Sequence, residues 1–143
     1  MNYKIAQLLL TPGSRANTTA EIFIAQPDAD KEMLAGKLFA LIEIESKRAD
    51  DLKIINFLIE NLNNNYYQNE KMILRERVKT VKVEHIFESA LAKTNKNLAE
   101  LLRSEKIKFN PKSMNATIGV IYENSLHFAN IGKNKAYLIY KTP

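Results

Sequence analysis

The sequence predicts an α+β fold: a layered, mostly antiparallel β-sheet packed against two long antiparallel helices. Three observations carry this. Short runs rich in apolar and β-branched residues gather at the two ends of the chain, as strands require. Two long middle stretches repeat apolar residues every three or four positions, as amphipathic helices do. The gaps between the C-terminal runs are only hairpin-length, which implies antiparallel pairing. With 143 residues the chain suits a single domain, 1–143, with enough apolar content to bury a core.

The elements follow in order. Residues 3–10 read as a strand, with Ile5, Leu8, Leu9 and Leu10 apolar and Thr11-Pro12-Gly13 stopping it. Residues 20–25 read as a second strand centred on Ile22, Phe23 and Ile24, and Gln26-Pro27-Asp28-Ala29-Asp30 is turn chemistry. Residues 38–45 form a third strand. Its alternation sets Phe39, Leu41 and Glu43 on one face and Leu38, Ala40, Ile42 and Ile44 on the other. A helix over 46–67 repeats Ala49, Leu52, Ile55, Leu58, Leu62 and Tyr66, with Asp50 and Asp51 in its first turn, where the helix dipole favours negative charge. Asn63-Asn64-Asn65 predicts fraying at its end. Residues 70–82 fit either an irregular strand or a helical connection. A second long helix spans 83–105, keeping its period through Ile86, Ala90, Thr94, Leu98 and Leu101. Asn110-Pro111 ends that region, because proline disfavours helix at the preceding residue. Three strands close the chain: 115–122, 126–132 and 135–140, joined at Glu123-Asn124-Ser125 and at Gly132-Lys133-Asn134-Lys135.

Composition narrows the function classes. A hydrophobic fraction of 45% with 26% charged residues is ordinary for a globular domain. No apolar run approaches the roughly 20 residues of a membrane span, and 5–10 is too short for a signal peptide. Zero cysteines exclude a disulfide framework and a thiolate metal site. A cytoplasmic location is the default expectation. The formal net charge is +5, gathered in Lys71-Arg75-Arg77-Lys79-Lys82 and Arg103-Lys106-Lys108-Lys112. The first cluster holds no aromatic and is broken by Glu76, so a solvated surface is favoured over a nucleic-acid site, which would interleave stacking aromatics. Four scattered glycines give no phosphate-binding loop. His85 and His127 stand apart from any carboxylate at metal-ligand spacing.

Three stretches resemble the metal-dependent protein phosphatases, the type 2C serine/threonine phosphatase family: Lys37-Leu38-Phe39-Ala40-Leu41-Ile42, the helix pair, and Ala116 to Tyr140. The best match is Phe128-Ala129-Asn130-Ile131-Gly132 followed by Ala136-Tyr137-Leu138. The resemblance covers the first half of that fold, which implies either a fragment of a longer chain or a naturally shortened version. Family members hold two divalent cations, Mn²⁺ or Mg²⁺, through aspartates, and hard cations need several closely placed oxygens. Where the family has Asp-Gly after its Phe-Ala strand, this chain has Glu43-Ile44, then Glu45-Ser46-Lys47. Where the family has an arginine followed by Asn-Glu-Asp, it has Arg15-Ala16-Asn17-Thr18-Thr19-Ala20-Glu21, with no aspartate.

The resemblance with these departures implies a non-catalytic, pseudophosphatase-like domain that acts as a protein-binding or scaffolding module and needs no cofactor. Glu43 and Glu45 are the weak metal candidates and Arg15 the candidate phosphate contact; no catalytic residue is assigned. A protein partner or self-association through an exposed sheet edge is expected, since a half domain leaves such an edge. Two alternatives stand: a divergent Mn²⁺- or Mg²⁺-dependent phosphatase completed by residues beyond 143, and a basic nucleic-acid-binding α+β domain.

Overall fold

The structure, a computed structural model, describes residues 4–10, 17–46, 48–78 and 80–141. The elements run β1 (Thr19–Ile24), α1 (Ala29–Ala35), β2 (Lys37–Ile44), α2 (Asp51–Tyr67), α3 (Glu70–Arg77), α4 (Val83–Ser104), β3 (Met114–Tyr122) and β4 (Ser125–Ile131). The four strands form one antiparallel sheet in the order β1-β2-β3-β4. The α+β class is therefore as expected, with two differences in strand number. Residues 4–10 and 135–141 belong to no strand. Their β-branched and aromatic residues favour extended backbone, but a strand also needs a ladder partner, and neither segment has one.

The alternation read in β2 holds. Leu38, Ala40, Ile42 and Ile44 are all essentially inaccessible and face the helices. The register sets Leu38 opposite Val120, Ala40 opposite Ile118 and Ile42 opposite Ala116, so β3 turns the same face inward. Ile55, Leu58 and Leu62 of α2 and Ile86, Phe87 and Ala90 of α4 complete one contiguous core. Each isoleucine, leucine, valine or phenylalanine side chain among these contributes about 1.5–3 kcal/mol by leaving water.

Asp51 starts α2. Its carboxylate accepts from the Ser46 hydroxyl and, at 2.9 Å, from the Arg48 N–H, so Ser46 and residues 48–50 precede the helix rather than begin it. The asparagine run does not fray. Helix α2 continues to Tyr67 because its polar side chains meet α4: Asn97 Nδ2 donates to Asn61 Oδ1 at 2.9 Å and Asn65 Nδ2 to Thr94 Oγ1 at 3.1 Å. The ambiguous stretch resolves into helix α3, whose first turn is capped by Asn69 Oδ1 accepting from the Lys71 N–H at 2.9 Å.

Helix α1 falls just after the expected turn at 26–30 and is held from outside. Arg75 is 8% exposed although it belongs to an expected surface cluster. Its Nε donates to the Leu34 carbonyl at 2.7 Å, one terminal nitrogen donates to the Val81 carbonyl, and the other donates to Tyr122 Oη at 2.9 Å. Below α1, Tyr66 Oη donates to the Ala35 carbonyl at 2.6 Å. Tyr67 Oη donates to the Gly36 carbonyl at 3.0 Å and accepts from the Leu38 N–H at 2.9 Å. Burial raises both hydroxyl pKa values, that of Tyr67 to about 12 and that of Tyr66 further. Among the described residues, no helix is long and apolar enough to cross a membrane.

Candidate functional site

With the helices on one side, the other face of the sheet is open. Register and alternation place Ile22 and Ile24 of β1, Phe39 and Leu41 of β2, and Leu126 and Phe128 of β4 on it. Gly119 makes room there. A Cβ on it would lie 2.6 Å from Phe39 Cζ, so the aromatic ring lies across the place where β3 has no side chain. The face is apolar yet accessible: Leu41 is 39% and Phe128 49% exposed. Residues 5–8 and 135–137 approach this face, and with Phe39, Leu41 and Phe128 among others they line a groove of about 400 Å³.

One end of the open face is polar, and it contains both candidate carboxylates. Glu43 is the last open-face residue of β2, and Glu45 lies just past the strand end, its N–H donating to the Ser113 carbonyl at 2.8 Å. The sequence spacing correctly puts them together. What it did not reveal is the group between them. Asn115 of β3 is paired with Glu43 in the register and is only 3% exposed. Its Nδ2 donates to Glu43 Oε1 at 3.4 Å and to Glu45 Oε1 at 3.1 Å. Its Oδ1 accepts from the Lys133 N–H at 2.7 Å, and Lys133 Nζ stands 3.6 Å from the other Glu45 oxygen.

Gly132 fixes this arrangement. Its φ is +77°, a backbone conformation that disfavours any side chain, and a Cβ there would meet Asn115 Oδ1 at 2.2 Å. The turn after β4 can therefore deliver the Lys133 N–H to Asn115 only if residue 132 is glycine. A second polar link continues the network, with Thr117 Oγ1 donating to Asn130 Oδ1 at 2.5 Å and the Asn130 amide donating to the Asn134 carbonyl.

The chemistry follows from these partners. A carboxylate pair suited to a hard cation would aim free oxygens into a common space. Here that space holds a neutral amide, which gives one hydrogen to each carboxylate, with an ammonium beside it. Among the described residues, no group of three or more His, Cys, Asp or Glu side chains comes close enough to hold a metal ion. Arg15 lies outside the described residues. His85 is exposed on α4 beside Glu84, and His127 faces a separate groove against α4 with Phe87 and Leu91, so neither approaches the carboxylates. Comparison of the chain with protein-family models, with curated proteins and with solved structures found no match.

Proposed function

We propose that this chain is a non-catalytic binding module, related in fold to the type 2C phosphatases, that docks a protein partner on its open sheet face. The observation that carries the reading is that face: an apolar surface opposite the helices, backed by a rigid core and bounded at one end by a polar network. Contiguous exposed apolar surface rimmed by polar groups is characteristic of interaction sites. The Asn115 amide and the Lys133 ammonium support the non-catalytic half of the reading, because they satisfy Glu43 and Glu45 with protein groups.

Calorimetric titration with Mn²⁺ and Mg²⁺, paired with an aryl phosphate assay, tests it. Expected are no heat of binding at millimolar metal and no hydrolysis. Hydrolysis that requires Mn²⁺ and disappears in Glu43→Ala defeats the proposal and restores the enzyme reading.

A further inference from the structure

Resting on the docking reading, we infer that residues 135–137 form a latched strap. A polar clasp of Thr117, Asn130 and Asn134 holds this segment across the open face, where a docking partner must displace it.

The clasp interrupts an otherwise apolar surface. In the register Thr117 lies between Leu41 of β2 and Asn130 of β4, in the middle of the face. An amide there would be costly to cover if it had no partner. It has partners, and they come from the segment that follows β4. The Thr117 hydroxyl donates to Asn130 Oδ1 at 2.5 Å and accepts from the Asn134 amide at 3.3 Å. The Asn130 amide donates to the Asn134 carbonyl. These three bonds close a ring that ties residue 134 to β3 and β4 at once.

A second anchor lies beside the first. The Lys133 N–H donates to Asn115 Oδ1 at 2.7 Å, and Asn115 and Thr117 are successive open-face residues of β3. Residues 133 and 134 are thus pinned to two neighbouring positions on β3. The chain leaving β4 is turned over the sheet instead of running beside β4, which accounts for the missing strand at 135–140. Past the clasp, residues 135–137 share the groove with Ile22, Phe39, Leu41 and Phe128.

Beyond these anchors the attachment is thin. Tyr137, Leu138, Ile139 and Tyr140 are between 76% and 88% exposed, and the segment belongs to no helix or strand. Apolar attachment scales with the area removed from water, and little is removed here. The clasp therefore carries most of the hold, and the strap can open locally while the sheet stays folded. While closed it occupies space over Phe39 and Leu41, so a partner's apparent affinity is scaled by the open fraction.

The test is limited tryptic digestion followed by mass spectrometry, with hydrophobic-dye fluorescence on the same proteins. Cleavage after Lys135 reads the strap, and cleavage after Lys93 and Lys96 in α4 reads the fold. Thr117→Val removes the hydroxyl but keeps a β-branched residue suited to the strand. It should speed strap cleavage about fivefold or more, as loss of about one net hydrogen bond does, leave cleavage in α4 unchanged and raise dye fluorescence. Thr117→Ser restores the hydroxyl and should return the strap rate to near its starting value. If Thr117→Val also speeds cleavage in α4, Asn134→Ala decides, because it lies outside the strands and removes one bond of the ring; a selective rise of about threefold supports the clasp. Strap cleavage that neither Thr117→Val nor Asn134→Ala accelerates overturns the inference, as does Thr117→Ser behaving like Thr117→Val. The dye separates these failures from failure of the docking reading. Unchanged strap cleavage with dye binding that falls in Leu41→Lys discards the clasp and keeps the face. A released strap that uncovers no dye-binding surface keeps the clasp and discards the face.

Discussion

Replacing Gly132 by alanine strains the polar network at its tightest point, and the cost can be worked from the geometry. At a φ of +77° an L side chain costs about 1–2 kcal/mol. The new carbon would stand 2.2 Å from Asn115 Oδ1 and 2.7 Å from the Met114 carbonyl oxygen. The asparagine must move, which weakens its bond from the Lys133 N–H and its shared bonds to Glu43 and Glu45. At about 1 kcal/mol for each side of the amide, that adds about 2 kcal/mol. Gly132→Ala should therefore lose about 3–4 kcal/mol. Asn115→Ala removes the same bonds and should lose about 2 kcal/mol alone. In the double variant the clashing oxygen is absent and the bonds are already gone. There the glycine replacement should cost about 1–2 kcal/mol for the backbone conformation plus the strain of the 2.7 Å approach to the Met114 carbonyl oxygen, which is present in both backgrounds and cancels in the cycle. Urea unfolding of the four proteins, followed by circular dichroism, measures the cycle. A coupling near 2 kcal/mol is expected. Costs that add to within about 0.5 kcal/mol would refute the packing of Gly132 on Asn115.

Other outcomes follow from the same structure. Arg75→Met strands the Leu34 and Val81 carbonyls and the Tyr122 hydroxyl, and should lose about 3 kcal/mol in denaturant titration; Arg75→Lys keeps the charge but not the fork, and should recover only part of that loss. Tyr66 and Tyr67 have folded pKa values above the ordinary value near 10, so the folded state keeps protons that the unfolded chain gives up. Their contribution to stability should hold constant below about pH 10 and fall as pH rises through about 12, and a Tyr66→Phe/Tyr67→Phe protein should show a shallower alkaline decline; an unchanged slope rules these tyrosines out as its source. Ile55→Ala, at a fully buried site facing the sheet, should cost about 2–5 kcal/mol, whereas Lys53→Ala, which breaks only the half-exposed ion pair to Glu105, should cost less than about 1 kcal/mol in thermal melts.

Much of the fold was legible because it rests on local periodicity. The faces of β2, the long helices α2 and α4 and the β3–β4 hairpin each follow from spacings within one segment. The features that were missed depend on partners far along the chain. Helix α1 has seven residues, too few to declare a period, and it is tied down by Arg75 and Tyr66 from 41 and 31 residues away. The expected strands at 3–10 and 135–140 have suitable residues, but propensity cannot supply a neighbouring ladder; residue 3 itself lies outside the described residues. The asparagine run looked weak in isolation because its stabilising contacts lie on another helix. The candidate site divides the same way. Glu43 and Glu45 were paired by their spacing on one strand. Asn115, which hydrogen-bonds both of them, is 72 residues from Glu43, and only the strand register connects them.

The bonds between α2 and α4 bear on uniqueness more than on stability. Greasy helix surfaces can slide by a turn, about 5.4 Å, and still find grease. The Asn61–Asn97 and Asn65–Thr94 pairs cannot, because any slip strands amide and hydroxyl groups at a seam where Thr94 is almost wholly enclosed. They work as the teeth of a ratchet that admits one alignment. Leucines in their place would be expected to hold the helices at least as tightly while losing the record of which turn faces which, so the seam carries information that its binding strength alone does not reveal.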